Sequence, residues 1–275
     1  MSAPERIPPR SVTATDLLAH GELTVRGRIR EASNAVLFCG IEYEGESAEC
    51  VYKPVAGERP LWDFPDGNLA RREVAAYEVS EALGWELVPP TVLRDGPHGE
   101  GMCQLWIETL PQDTAPELLA LVDAEEPEPG WKAIGLAEVA EGRTALLVHA
   151  DDPRLRRLAV FDAVVNNADR KGGHLLPAAE DRLYGIDHGV TFNTENKLRT
   201  LLWGWAGEPL PGEALTALSE LTKSLADGAP LASRLADLIT PAELDATRDR
   251  VAAMLDSGRH PSPSGEWPAI PWPPV

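Results

Sequence analysis

The chain is short of positive charge, of cysteine and of long apolar runs, and each shortage excludes a class of function. Its 275 residues carry 25 Lys and Arg against 44 Asp and Glu, a formal net charge of −19. Such an excess repels phosphate backbones and anionic headgroups alike. Neither nucleic acid nor a stable membrane surface is therefore an expected partner. No stretch approaches the roughly 20 apolar residues of a membrane helix, and the start, Met1 to Pro9, lacks the apolar core of a signal peptide. A cytoplasmic protein is expected. Cys39, Cys50 and Cys103 are an odd, widely spaced set without a Cys-x-x-Cys pair, which excludes a disulfide framework or structural zinc. All three fall in strand-like apolar runs and are expected as small buried hydrophobes. There is no Gly-x-Ser-x-Gly, no His-Glu-x-x-His and no glycine-rich phosphate loop. Serine hydrolases and short-range zinc enzymes lose their support.

What is present has a clear order. Leu23 to Pro54 contains β-rich runs bounded by polar and glycine turns, predicting a three-strand antiparallel meander with Lys53 at the end of its third strand. Leu69 to Leu83 predicts a helix capped by Asp66 or Asn68 and stopped at Gly84, with Glu73 in its first turns. Two more strands are expected over Val88–Leu93 and Gly101–Glu108. A Pro- and acid-rich connection with a short helix around Pro116 to Val122 follows, and beyond Gly130 the pattern is mainly helical. One helix starts at Asp151 or Asp152 with Pro153 in its first turn. Others lie near Glu213–Ala226, Leu231–Leu238 and Pro241–Leu255, the last opened by the capping box Thr240-Pro-Ala-Glu243. The proline-rich end from Ser262 is expected as an extended tail on the surface. The fold class expected is α+β: a two-lobed, protein-kinase-like fold with a β-rich N-lobe carrying one helix (1–110) and a mainly helical C-lobe (111–275).

The chemistry points the same way. An apolar run ends in Asn166-Asn167-Ala168-Asp169-Arg170-Lys171-Gly172-Gly173-His174, and a hairpin-like segment then leads to Ile186-Asp187-His188-Gly189. Moving a phosphoryl group asks for cations on the phosphates, a carboxylate on the metal and a carboxylate near the incoming hydroxyl. Asp169, on a loop leaving the core, suits the base. Asp187, at a strand end, suits a metal, because Mg²⁺ takes one or two carboxylates plus substrate oxygens. Lys53 suits the phosphates and Glu73 a salt bridge that orients it, with Glu78 and Glu81 as competitors. Ser33 and Asn34, in the turn between the first two strands, could cover phosphates in place of a glycine loop.

The segments Val51-Tyr-Lys53-Pro, Arg72-Glu73-Val-Ala-Ala-Tyr-Glu, Leu83-Gly-Trp-Glu-Leu-Val-Pro-Pro, Asn167-Ala-Asp169-Arg170 and Ile186-Asp187-His188-Gly189 resemble the phosphatidylinositol 3-/4-kinase-like superfamily, in particular its short actinobacterial members, and more remotely the HipA-type kinases. The resemblance implies an ATP-dependent phosphotransferase using Mg²⁺ or Mn²⁺. It implies a catalytic set of Asp169, Arg170 and Lys53, with Glu73 orienting the lysine and Asp187 on metal. It also implies a hinge at Gln104, Leu105, Trp106 and Ile107 that meets adenine. Where such kinases place a metal-binding asparagine, this chain has His174, a ligand better suited to Mn²⁺ than to Mg²⁺. The acceptor, a hydroxyl on a small molecule, lipid or protein, is not specified. A phosphoinositide acceptor would call for basic residues, yet the segment after Asp187 offers only Lys197 and Arg199, and its Trp203-Gly-Trp205 is a platform or packing. The alternatives are a nucleotide-binding pseudokinase with a regulatory role, or nucleotidyl transfer.

Overall fold

A computed structural model describes residues 12–29, 34–140 and 143–272. Strands β1 (Glu22–Arg28), β2 (Leu37–Tyr43), β3 (Glu46–Pro54), β4 (Thr91–Gly96) and β5 (Gly99–Leu105) form one antiparallel sheet in the order β1-β2-β3-β5-β4. The expected meander is its first half. Strand alternation puts Cys39, Ile41, Cys50, Tyr52 and Cys103 on one face, where they pack under Leu17 and Leu18 of helix α1 (Ala14–His20). The three cysteines are buried hydrophobes, as expected. Helix α1 itself was not foreseen; its local cue is a capping box between Thr13 and Asp16.

The opposite face carries Lys53, in register with Met102, and receives helix α2 (Leu69–Leu83). Asn68 caps α2 through the Arg71 N–H, and Gly84 ends it with a left-handed φ of 69° that a side chain would resist. Val74, Ala75, Val79 and Leu83 carry α2 into the main core. There it meets α3 (Pro153–Val165), α4 (Gly212–Ser224), α5 (Pro230–Ala236) and α6 (Pro241–Ser257). Asp152, Pro153 and the Thr240–Glu243 box start α3 and α6 where the sequence predicts.

Two expectations fail between residues 116 and 150. The expected short helix is instead β6 (Leu119–Val122), and the region past Gly130 forms β7 (Trp131–Ala140) and β8 (Arg143–Ala150), a three-stranded sheet ordered β6-β8-β7. Its Ala, Leu and Glu content favours a helix locally, but Leu146, Leu147 and Val148 are buried together, and sheet pairing with packing overrides that weak preference. A short hairpin of β9 (Leu175–Pro177) and β10 (Leu183–Gly185) lies between α3 and Asp187. Among the described residues no helix is long and apolar enough to cross a membrane.

Trp203 and Trp205 are buried, so packing is their role. The Trp205 ring lies between His149 and His260, with centroids at 4.3 and 6.2 Å, and Arg156 sits over it. The extended tail docks beside them, its Ala269 carbonyl accepting from Thr200 N and Trp203 Nε1. Burial lowers the His260 imidazole to about 4, helped by Arg156, whose Nε donates to its Nε2. The native ring is therefore neutral, and the unfolded chain binds more protons as pH falls. This stability is full above 6.5, the ordinary value, and is lost as pH falls through about 4. The melting temperature should drop across that window, and His260→Gln should flatten the drop. An unchanged slope in thermal denaturation would contradict the assignment.

Candidate active site

Strand alternation and the α2 crossing bring Lys53 and Glu73 together, with Lys53 Nζ 2.6 Å from Glu73 Oε1. Glu73 is 1% exposed, and its other oxygen accepts from His188 N at 2.8 Å. One carboxylate thus joins the sheet, α2 and the Asp-His-Gly segment. Its competitors are placed elsewhere: Glu78 pairs with Arg234 of α5, and Glu81 does not line the cavity that Glu73 faces. Burial pushes the Glu73 carboxyl up, with Lys53 pulling it back.

Lys53 Nζ also lies 2.8 Å from Asp187 Oδ1. Burial works against the ammonium, but Asp187 and Glu73 outweigh it and hold it charged. In return Lys53 holds the Asp187 carboxyl well below the ordinary carboxylate range. The Asp187 backbone has φ 62°, a left-handed conformation that aspartate tolerates at a cost of about 1–3 kcal/mol. Gly189 is needed for a close approach: a Cβ there would lie 3.1 Å from Leu69 Cβ of α2.

Asp169 follows the C-terminus of α3, where Asn166 adopts φ 53°. Its N–H donates to Asn167 Oδ1, and its carboxylate lies 3.1 Å from Lys171 Nζ. Burial pushes the carboxyl up and Lys171 opposes this. Lys171, given no role by the sequence reading, is thus a neighbour of the candidate base; its signal was the spacing Asp-x-Lys.

Arg170 is placed unlike the other catalytic candidates. It is fully buried, and its guanidinium binds both oxygens of Asp162 at 2.9 Å, the Ile186 carbonyl and His188 Nε2. It reaches no open surface, so it positions the loop from below and does not touch a reacting atom.

His174 Nε2 stands 3.4 Å from Asp187 Oδ2, and its Nδ1 accepts from Lys171 N. Burial lowers this imidazole to about 4, leaving it neutral at pH 7 and able to donate an electron pair. Among the described residues no group of three or more His, Cys, Asp or Glu converges on a metal position. Two protein ligands fit an ion carried in with phosphate oxygens and do not fit an all-protein cage.

A cavity of about 250 Å³ opens onto Lys53, Glu73, Asp169 and Asp187, walled by Asn34, Arg59, Leu61 and Leu69. Asn34 is on it; Ser33 lies outside the described residues. The hinge candidates do not line it. Gln104 Nε2 donates to Thr91 Oγ1, Leu105 N to Pro90 O and Trp106 N to Glu49 O, so these donors are spent within the sheet region. The Trp106 ring meets Phe38 edge-on, and Ile107 lies just past β5. Lys197 is 4% exposed, paired with Asp63 and seated over Trp267, while Arg199 donates to the Pro268 and Ile270 carbonyls.

The architecture is kinase-like. It matches hydra Fam20, solved with sugar, over 89% of this chain and 86% of that one, with 14% identity and a TM-score of 0.50. The Golgi casein kinase is matched over 87% of this chain and 72% of that one, with 14% identity and a TM-score of 0.49. No family model matches the sequence. The chain belongs to the family of Protein Rv2133c from Mycobacterium tuberculosis (strain ATCC 25618 / H37Rv), with 52% identity over 264 residues, 94% of each chain.

Removing one partner of a buried ion pair strands the other charge, at a cost of about 3–5 kcal/mol. Arg170→Met should lower unfolding stability by about that much through the unpaired Asp162. The double variant Arg170→Met/Asp162→Leu should recover most of it in urea denaturation.

Proposed function

We propose that the chain is an ATP-dependent phosphotransferase related to the phosphatidylinositol 3-/4-kinase-like superfamily. Its two lobes divide near residue 110, and its acceptor is not a phosphoinositide. The observation that carries this reading is the convergence of Lys53, Glu73, Asp187 and Asp169 on one cavity from four separate elements. Two carboxylates of opposed tendency, Asp187 held low by Lys53 and Asp169 pushed up by burial, line the same cavity, and such a pair suits divided acid–base and metal-binding roles.

In this reading Glu73 fixes Lys53, and Lys53 turns from Asp187 to the α- and β-phosphates. Asp187, freed, is the carboxylate that would hold Mg²⁺ or Mn²⁺, with His174 as its neutral companion. The ion would supply charge neutralisation at the transferring phosphoryl group. Asp169 orients the acceptor hydroxyl and takes its proton; its raised proton affinity suits that role. Arg170 and Asp162 keep the loop in place. Lys197 and Arg199 are both engaged within the protein, which argues against a polyphosphate headgroup as acceptor. The hinge candidates Gln104, Leu105 and Trp106 have their donors bonded elsewhere and do not line the cavity, so no adenine contact is assigned to them. Cytoplasmic location remains part of the proposal.

Asp169→Asn and Asp187→Asn should each lower metal-dependent ATP turnover by about 10²-fold or more while far-UV dichroism stays native. Turnover equal to wild type in either variant would remove the site assignment. With His174 as ligand, Mn²⁺ should support faster turnover than Mg²⁺; equal or better turnover with Mg²⁺ contradicts that ligand. ATP binding without any transfer would favour the regulatory pseudokinase, and addition of AMP, seen by mass spectrometry, would favour nucleotidyl transfer.

A further inference from the structure

Glycine-rich turns cover a triphosphate with backbone N–H groups, and this chain has no such turn. Something else must offset the charge of a polyphosphate in a cavity whose ionisable lining is two cations, Lys53 and Arg59, against four carboxylates, Glu58, Glu73, Asp169 and Asp187. Most of these groups are already committed. Lys53 is held by Glu73 and Asp187, and Glu58 accepts from Leu69 N and Ala70 N at the start of α2.

Arg59 is different. Its backbone N–H donates to Asn34 Oδ1 at 3.0 Å, which pins it against the β1–β2 turn. Its guanidinium makes no ion pair or hydrogen bond among the described residues, a condition shared there by only one other arginine, Arg28 at the end of β1. In a chain with acids in such excess, an arginine without an acidic partner beside a catalytic cavity is an unspent cation. Arg71, Arg72, Arg154, Arg156, Arg157 and Arg234 all have carboxylate partners.

We infer that Arg59 binds the terminal phosphates of the nucleotide, replacing the missing glycine loop from the segment between β3 and α2. This rests on the phosphotransferase reading. The planar guanidinium offers paired N–H donors that match phosphate oxygens, and Asn34 fixes its backbone while leaving the side chain free to swing inward.

The test is calorimetric titration of the full chain with ATP and with AMP in the presence of Mn²⁺. For wild type, Arg59→Ala and Arg59→Lys, native dichroism is checked first, with Arg143→Ala, an exposed arginine at the start of β8, as the control. Arg59→Ala should weaken ATP by about 10- to 100-fold and AMP by less than about twofold, with Arg59→Lys in between. ATP affinity within about twofold of wild type overturns the inference, as does an equal loss for ATP and AMP, which marks a general disturbance of the site. If wild type binds neither nucleotide, the phosphotransferase reading itself falls, and the inference with it.

Discussion

A fully buried ion pair, Arg170 with Asp162, sets the relation among all the candidate catalytic groups. Taking both charges out of water is costly and is offset only when their hydrogen bonds are filled. Here the guanidinium has two carboxylate oxygens, the Ile186 carbonyl and His188 Nε2, and Asp162 also accepts from Asn167. The pair therefore locks the middle of α3 to the loop that bears Asp169 and to the strand end that bears Asp187. A chain with less internal anchoring would let these two carboxylates drift by the ångström that the proposed phosphoryl transfer would not tolerate.

The second link is Glu73, which carries the order of the C-terminal half into the sheet. Because it grips Lys53 with one oxygen and His188 N with the other, the lysine of β3 and the Asp187-His188-Gly189 segment share a single reference point. The acidity of the chain sharpens the consequence. Cations are few and, among the described residues, most have partners; of the two that face the cavity, Lys53 is paired and Arg59 is not.

Features written in local chemistry were legible in the sequence. Asn68 and Gly84 bound α2, Asp152 and Pro153 start α3, and Thr240 with Glu243 opens α6, because caps act within a few residues. Lys53, Asp169 and Asp187 were legible by residue type and order. Glu73 was also legible from order and resemblance, and it is the residue that meets Lys53, but the pattern of α2 alone does not separate it from Glu78 and Glu81, because that depends on which side of the helix meets the sheet. Strands β7 and β8 escaped because their propensity is helical and their pairing is tertiary. The buried role of Arg170 and the inward bonds of Gln104, Leu105 and Trp106 were equally out of reach, as nothing in a residue's neighbours along the chain states which face of a loop is covered.

The central claim is that Lys53 and Asp187 separate to take phosphate and metal. Its most direct measurement is a crystal structure with a non-hydrolysable ATP analogue and Mn²⁺, with the metal located by its anomalous scattering. The account predicts an anomalous peak bonded to Asp187, with Lys53 moved onto the phosphates while keeping Glu73. A Lys53–Asp187 pair left intact beside a bound nucleotide, with the metal absent or held elsewhere, would contradict it.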